Sequence, residues 1–235
     1  MTLTSNAMKH ITMPPQNKTL LTMTRPYLIV LDVDSTLIEN EVIELLAAHA
    51  GSLEQVAAIT ERAMRGELDF EQSLRERVAT LAGLPDSLFD DIRREVTVTL
   101  GVPQLIAGVK AAGGHVGVVS GGFHEILDPL AERLKLDFWR ANRLEVANGL
   151  LTGRVLGKVI DAAAKAQALI EWAETTQTPI SQTVAIGDGA NDLKMMEAAG
   201  LSIAFDAKPI VRERADVILD ERDLSRVLGI LGLSA

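Results

Sequence analysis

Three stretches of this chain end an apolar run in residues able to do chemistry. In "LIVLDVDSTLIENE", residues 28–41, four apolar residues run into Asp32, with Asp34, Ser35 and Thr36 close behind. "VVSGG" ends at Ser120, Gly121 and Gly122, and "IGDGAND" leads through Asp188 to Asn191 and Asp192. One such ending is ordinary turn chemistry. Three on one sheet edge are expected to form a site. Asp32 and Asp188 supply hard oxygen ligands, which suit Mg²⁺ better than softer metals. Ser120 followed by two glycines just before a helix offers a hydroxyl and free backbone N–H groups, an anion site at a helix N-terminus. Metal and anion cradle together imply a phosphoryl group, and a carboxylate can then act as nucleophile to give an aspartyl-phosphate.

Charge explains why two acids stand two positions apart. A carboxylate ~4 Å from a phosphate dianion is repelled by on the order of 8 kcal/mol at an effective dielectric of about 20. One Mg²⁺ and one Lys beside the phosphate could offset this. An alkyl phosphate leaves as an alkoxide and needs a general acid, a role for Asp34, which would afterwards deprotonate the hydrolytic water. The ordinary carboxyl pKa of about 3.9 must rise for that role, and a nearby carboxylate with partial burial would raise it.

The elements that must position these residues follow from periodicity. Tyr27 to Leu31 reads as a buried strand. From about Glu41 to Thr99 the pattern is helical, with Val42, Leu45, Leu46 and His49 on one face and Leu53, Val56, Ala57, Thr60 and Met64 on another. Asp69 is a plausible N-cap for a helix carrying Phe70, Leu74, Val78 and Leu81, and "LPDSLFDDIRREV" forms a fourth helix. Beyond Pro103, a helix from Leu105 to Ala112 leads to the strand "HVGVVS" and a helix from about His124 to Leu134. "RLEVANGLLTGRV" reads as a hairpin turning at Asn148-Gly149. A helix from about Asp161 to Ala173, the strand "TVAIGD", a helix from Asn191 to Ala199, and the strands "LSIAF" and "DVIL" complete the chain. The reading is α/β: a doubly wound parallel sheet with a helical cap inserted after the first strand and a β-hairpin. Residues 1–24 form a poorly ordered tail, 25–39 and 103–235 the core, and 40–102 the cap.

Composition narrows the classes. The chain has 235 residues, 47% hydrophobic but only 3% aromatic, and a net charge of -9. That charge disfavours non-specific binding to nucleic acid or anionic membrane. With no Cys, disulfides, thiolate catalysis and Cys-bound zinc are excluded. The four His show no metal-ligand spacing. No signal peptide or spanning segment is evident, so a cytoplasmic location is expected. Oligomeric state is not readable.

Two cations and one acid can be placed by helical geometry. At ~100° per residue, Arg77 falls on the Phe70, Leu74, Val78 and Leu81 stripe, while Arg75 points nearly opposite. Lys165 falls on the stripe of Ala168, Leu169 and Trp172, so it either snorkels or meets an anion. Lys158 is its competitor. Glu41 is either a first-turn acid favoured by the helix dipole or a carboxylate for a substrate ammonium.

"DVDST", "SGG", a helical Lys and "GDGANDLKMM" resemble the four motifs of the haloacid dehalogenase-like phosphatases. "DSTLIENEVIELLA", "FEQSLRERVATLAGLP", "VVSGGF", "ANRLEV" and "AFDAKP" resemble the phosphoserine-hydrolysing branch of that family, over roughly residues 27 to 228. The resemblance implies Asp32 as nucleophile, Asp34 as general acid/base and Thr36 as support for the catalytic loop. It implies Ser120 with Gly121, and Lys165, as phosphate binders, and Asn191 as a phosphate or substrate contact. Mg²⁺ would be held by the side chains of Asp32 and Asp188 and the Asp34 carbonyl, with Asp192 orienting the site. Arg77 and Glu41 would take the substrate carboxylate and ammonium. The expected reaction is hydrolysis of O-phosphoserine to serine and phosphate, the last step of serine biosynthesis. Alternatives are the same chemistry on another small phosphomonoester, or a response-regulator-like module phosphorylated on Asp. Val33 stands where family members often carry Phe.

Overall fold

The computed structural model describes residues 11–12 and 27–234. Its strands are β1 (Ile11–Thr12), β2 (Leu28–Leu31), β3 (His115–Phe123), β4 (Phe138–Ala147), β5 (Leu150–Leu156), β6 (Thr183–Gly187), β7 (Leu201–Phe205) and β8 (Val217–Leu219). They form one sheet in the order β1-β8-β7-β6-β2-β3-β4-β5. Every neighbouring pair is parallel except the outermost pairs, β1–β8 and β4–β5. The expected tail over residues 1–24 lies outside the described residues, apart from the backbone of Ile11 and Thr12 on the edge of β8.

The sheet is wound on both faces, as expected. Along β2, Ile29 and Leu31 point into one apolar core, and Leu28 and Val30 into the other. All four are at most 1% exposed, the signature of a central parallel strand. Helices α7 (Ala162–Thr175) and α8 (Leu193–Ala198) cover the second face through Ala168, Leu169, Trp172, Met195 and Met196. Helices α5 (Val102–Ala111) and α6 (His124–Leu134) cover the first.

Between β2 and α5 lie four helices: α1 (Val42–Ala50), α2 (Leu53–Met64), α3 (Phe70–Ala79) and α4 (Leu88–Glu95). Asp69 caps α3 in a full capping box with Gln72. The second of these helices departs from expectation. Only Val56 of α2 is buried, while Leu53 and Met64, read on the same face, are 46% and 78% exposed. His49, read on the same face of α1 as Val42 and Leu46, is a surface partner of Glu95 at 2.8 Å. The entry and exit of this block are zipped together: Glu39 N–H donates to Thr97 O at 2.9 Å, and Thr99 N–H to Leu37 O at 3.0 Å.

One local reading holds and one does not. The hairpin turns at Asn148 and Gly149, both with positive φ (53° and 76°), the backbone that Asn-Gly favours. Asp161, read only as the approximate start of a helix, proves to cap α7 by accepting the Ala164 N–H at 2.8 Å. The Ser120-Gly121-Gly122 segment is no turn after a strand. It lies inside β3, which runs on to Phe123 and shifts register against β4 between Val119 and Phe123. An irregular pairing of this kind re-aims a side chain without ending the strand. The first half of β4 was also missed, because Phe138 to Arg140 pairs with β3 and carries no hairpin signal.

Candidate active site

Order in the sheet creates the site. β2 has β3 on one side and β6 on the other, so later strands are added on both sides of β2 and a crevice opens at its carboxyl end. Asp32 follows β2 and Asp188 follows β6. Asp32, Asp188 and Asp192 each offer an oxygen within 4.8 Å of the others. Lys165 joins them from α7. Its ammonium lies 2.6 Å from Asp32 Oδ1 and 2.8 Å from Asp192 Oδ1, at 0% exposure. The snorkelling alternative is therefore wrong, since Lys165 is enclosed by carboxylates; Lys158 is exposed.

Asp32 is held through one oxygen only. Oδ1 accepts the Val33 N–H at 2.7 Å in addition to the Lys165 contact. Oδ2 has no hydrogen-bond partner among the described residues, which leaves it available for attack. Asp192 is tied twice: Oδ1 by Lys165, Oδ2 by the Gly189 N–H at 3.1 Å. Gly187 permits this approach, because a Cβ there would stand 2.3 Å from Asp192 Oδ2. Asn191, half-buried, lies over Gly189.

The electrostatics suit a divalent cation. Three carboxylates and one ammonium leave a net charge of -2 on a cluster of hard oxygen donors with no His or Cys. Burial first, and then the Asp32 charge, push Asp188 up to about 6. The same two causes raise Asp192, against the pull of Lys165. For Lys165, burial alone would depress the pKa, but the Asp192 and Asp32 carboxylates outweigh it and raise it. Protons are thus drawn in where a cation would otherwise balance the charge. The donor set fits a hard divalent ion such as Mg²⁺.

Asp34 faces the other way, into the helical block. Its Oδ1 accepts the Val42 N–H at 2.9 Å, so it caps α1. Its Oδ2 accepts from Ser120 Oγ at 3.3 Å. Its pKa is pushed up to about 7, by burial first and then by Glu41. Asp32 also raises it, by less than Glu41 does. Ser120 Oγ also accepts the Gly122 N–H at 2.7 Å, so that N–H is already engaged and not free as expected. Gly122 is needed here: a Cβ would fall 2.7 Å from Asp34 Oδ2. The ring of Phe70 at the start of α3 packs on Gly121. Thr36 is fully buried with its hydroxyl unpartnered among the described residues, so any support it gives the loop is packing.

Glu41 stands at the N-cap of α1, one position before the expected first turn. It accepts from Ser35 Oγ at 2.6 Å, and Ser35 adopts a left-handed φ of 56° to make that contact. Burial and then the Asp32 charge raise the Glu41 pKa, against the Ser35 hydrogen bond. Arg77 is half-buried in α3, within electrostatic reach of Glu41, Asp34 and Glu44, and donates Nε to Ser73 O at 3.3 Å. Arg75 pairs with Glu71 on the surface. Lys208, which sequence reasoning passed over, sits 3.7 Å from Asp188 Oδ2. Ser35 was also passed over. The adjacency of β6 and β7, which brings Lys208 in, has no local signal; Ser35 sat in plain view inside the motif.

The sequence matches the haloacid dehalogenase-like hydrolase family over residues 29–197, and the chain belongs to that family. A phosphoserine phosphatase of Streptomyces coelicolor is 56% identical over 207 residues, covering 88% of this chain and 50% of that protein. The chain thus spans half the length of this relative. The phosphoserine phosphatase of Streptococcus thermophilus is 51% identical over 87% of this chain and 95% of its own length. A solved structure described as a phospho-aspartyl intermediate analogue of phosphoserine phosphatase superposes with a TM-score of 0.82 at 45% identity, covering 87% of this chain and 98% of that one. No helix among the described residues is long and apolar enough to cross a membrane.

Proposed function

We propose that this chain is a Mg²⁺-dependent phosphomonoesterase that hydrolyses O-phosphoserine through an aspartyl-phosphate on Asp32. The observation that carries the proposal is the asymmetric setting of Asp32, with Oδ1 fixed by Lys165 and Val33 N–H and Oδ2 unengaged. The names of the relatives point to the same substrate.

Mg²⁺ would be held by the Asp32 and Asp188 carboxylates and the Asp34 carbonyl, and would supply positive charge beside the phosphoryl oxygens. Asp192, with both oxygens committed, serves to hold Lys165. Ser120, Gly121, Lys165 and Asn191 surround the phosphate. Asp32 Oδ2 attacks phosphorus and the bond to the serine oxygen breaks, with the Asp34 proton passing to that oxygen. Asp34, now a carboxylate, takes a proton from water as the water oxygen attacks the same phosphorus. The bond to Asp32 then breaks, releasing phosphate and restoring both acids. A pKa near 7 lets Asp34 serve in both directions at neutral pH.

The helical block acts as the cap. Glu41, oriented by Ser35, receives the ammonium, and Arg77 receives the carboxylate, where a guanidinium fork matches two oxygens. We place the reaction in the cytoplasm, where a free amino-acid phosphate is met. Incubation with phosphoserine and Mg²⁺, with phosphate release as readout, tests the proposal. Release from phosphoserine should far exceed that from phosphoethanolamine or phosphoglycolate. No release, or no preference among the three, would overturn it.

A further inference from the structure

Asn142 lies in β4, outside the groups described so far, and is only 2% exposed. Its carboxamide spans the place where the sheet ladder breaks. β3 and β4 pair from Gly117 to Val119, lose register, and meet again at Phe123 opposite Asn142. Across that gap, Asn142 Nδ2 donates to the Gly121 carbonyl at 2.8 Å. Its Oδ1 accepts the Ile160 N–H at 2.8 Å. The backbone partners fix the amide's orientation, because a carbonyl only accepts and an N–H only donates.

The two partners belong to different halves of the site. Gly121 follows Ser120, whose hydroxyl touches Asp34. Ile160 precedes Asp161, the cap of α7, and the first turn of α7 carries Lys165. Among the described residues no direct hydrogen bond joins β3 to α7, and the Asn142 side chain ties the backbone at Gly121 to that at Ile160. Few side chains can do this, since the task needs a donor and an acceptor in one rigid plane. Leu has neither, and an ionised Asp has only acceptors.

The geometry points to Asn142 as a positioning residue for phosphate: by bridging Gly121 O and Ile160 N–H, it sets Ser120 and the α7 terminus with Lys165 at the separation that one phosphoryl group requires. This rests on the proposed roles of Ser120 and Lys165. Asp32 and Asp188 follow other strands, so metal binding should not depend on Asn142.

The test uses inorganic phosphate as probe, with titration calorimetry on the full chain in saturating Mg²⁺. Mg²⁺ binding without phosphate and thermal melting are measured beside it. The variants are N142D, which keeps the acceptor for Ile160 at pH 8, and N142L, which keeps neither bond. Both should bind phosphate about tenfold or more weakly, with Mg²⁺ affinity within twofold of wild type. Turnover should suffer mainly through KM. Phosphate affinity within twofold of wild type in a folded variant would overturn the inference. So would a parallel loss of metal and phosphate binding, or failure of both variants to fold, because Asn142 would then be a general structural residue. Wild-type protein that binds no phosphate would instead overturn the underlying reading of Ser120 and Lys165, a failure visible before any variant is made.

Discussion

Replacing a charged site residue with its neutral isostere should make the metal-free protein more stable. Asp188 is 9% exposed, and its carboxyl is pushed up to about 6 by burial and by the Asp32 charge. In the unfolded chain the same group titrates near its ordinary value of about 3.9. A folded pKa above the unfolded one means a contribution to stability that is fully present below about pH 4 and lost as pH rises through about 6. The shift is roughly two units, so at pH 8 the ionised carboxylate costs the metal-free protein on the order of 3 kcal/mol relative to a neutral group. Asp188→Asn removes that cost. In EDTA at pH 8 the variant should unfold at higher urea than wild type, by up to about 3 kcal/mol, whereas most substitutions destabilise. At pH 4 the two should coincide. Added Mg²⁺ should reverse the order at pH 8, since the ion stabilises only a site that binds it. Urea unfolding followed by circular dichroism at pH 4, 6 and 8, with and without Mg²⁺, reads all of this. A variant no more stable than wild type in EDTA at pH 8, or a gap that does not close toward pH 4, would refute the reasoning.

Asp32→Asn should abolish turnover and phosphoenzyme while leaving the far-ultraviolet spectrum unchanged; a rate above about a tenth of wild type, a barrier change of only ~1.4 kcal/mol, would argue against covalent attack by Asp32. Asp34→Asn should slow phosphoenzyme formation more with phosphoserine than with an aryl phosphate, whose leaving group needs less protonation; equal losses in rapid-quench experiments would remove the general-acid role. For wild type, that first step should decline as pH rises through about 7, because the acid loses its proton there. Arg77→Lys keeps the charge but loses the fork, and should lower kcat/KM for phosphoserine by roughly ten- to hundred-fold, the equivalent of about 1.5 to 3 kcal/mol. Phosphoethanolamine, which has no carboxylate, should be nearly unaffected; an equal loss with both would make Arg77 structural.

The sequence by itself determined the local architecture of this protein. Alternating apolar runs and helical periods marked the core strands, the inserted helices, the hairpin at Asn148-Gly149 and the cap at Asp69. Each of those signals is carried by residues within a few positions of one another. The candidate acids were legible for the same reason: an apolar strand that ends in carboxylates is visible without knowing its neighbours. Register within β3 was not legible, because Ser-Gly-Gly reads as a turn unless the partner strand is known. The exposure of Leu53 and Met64 was missed because periodicity finds an apolar stripe but not whether anything packs on it.

Only the tertiary structure decided how the acids are used. Lys165 meets Asp32 and Asp192 because β6 lies beside β2 and α7 packs across both, an adjacency set by strand order and not by spacing along the chain. Asp34 caps α1 and meets Glu41 within eight positions of itself, but the burial that most raises its pKa comes from the packed structure around it. Charge interactions depend on distance and burial, and both are set only when the segments pack together.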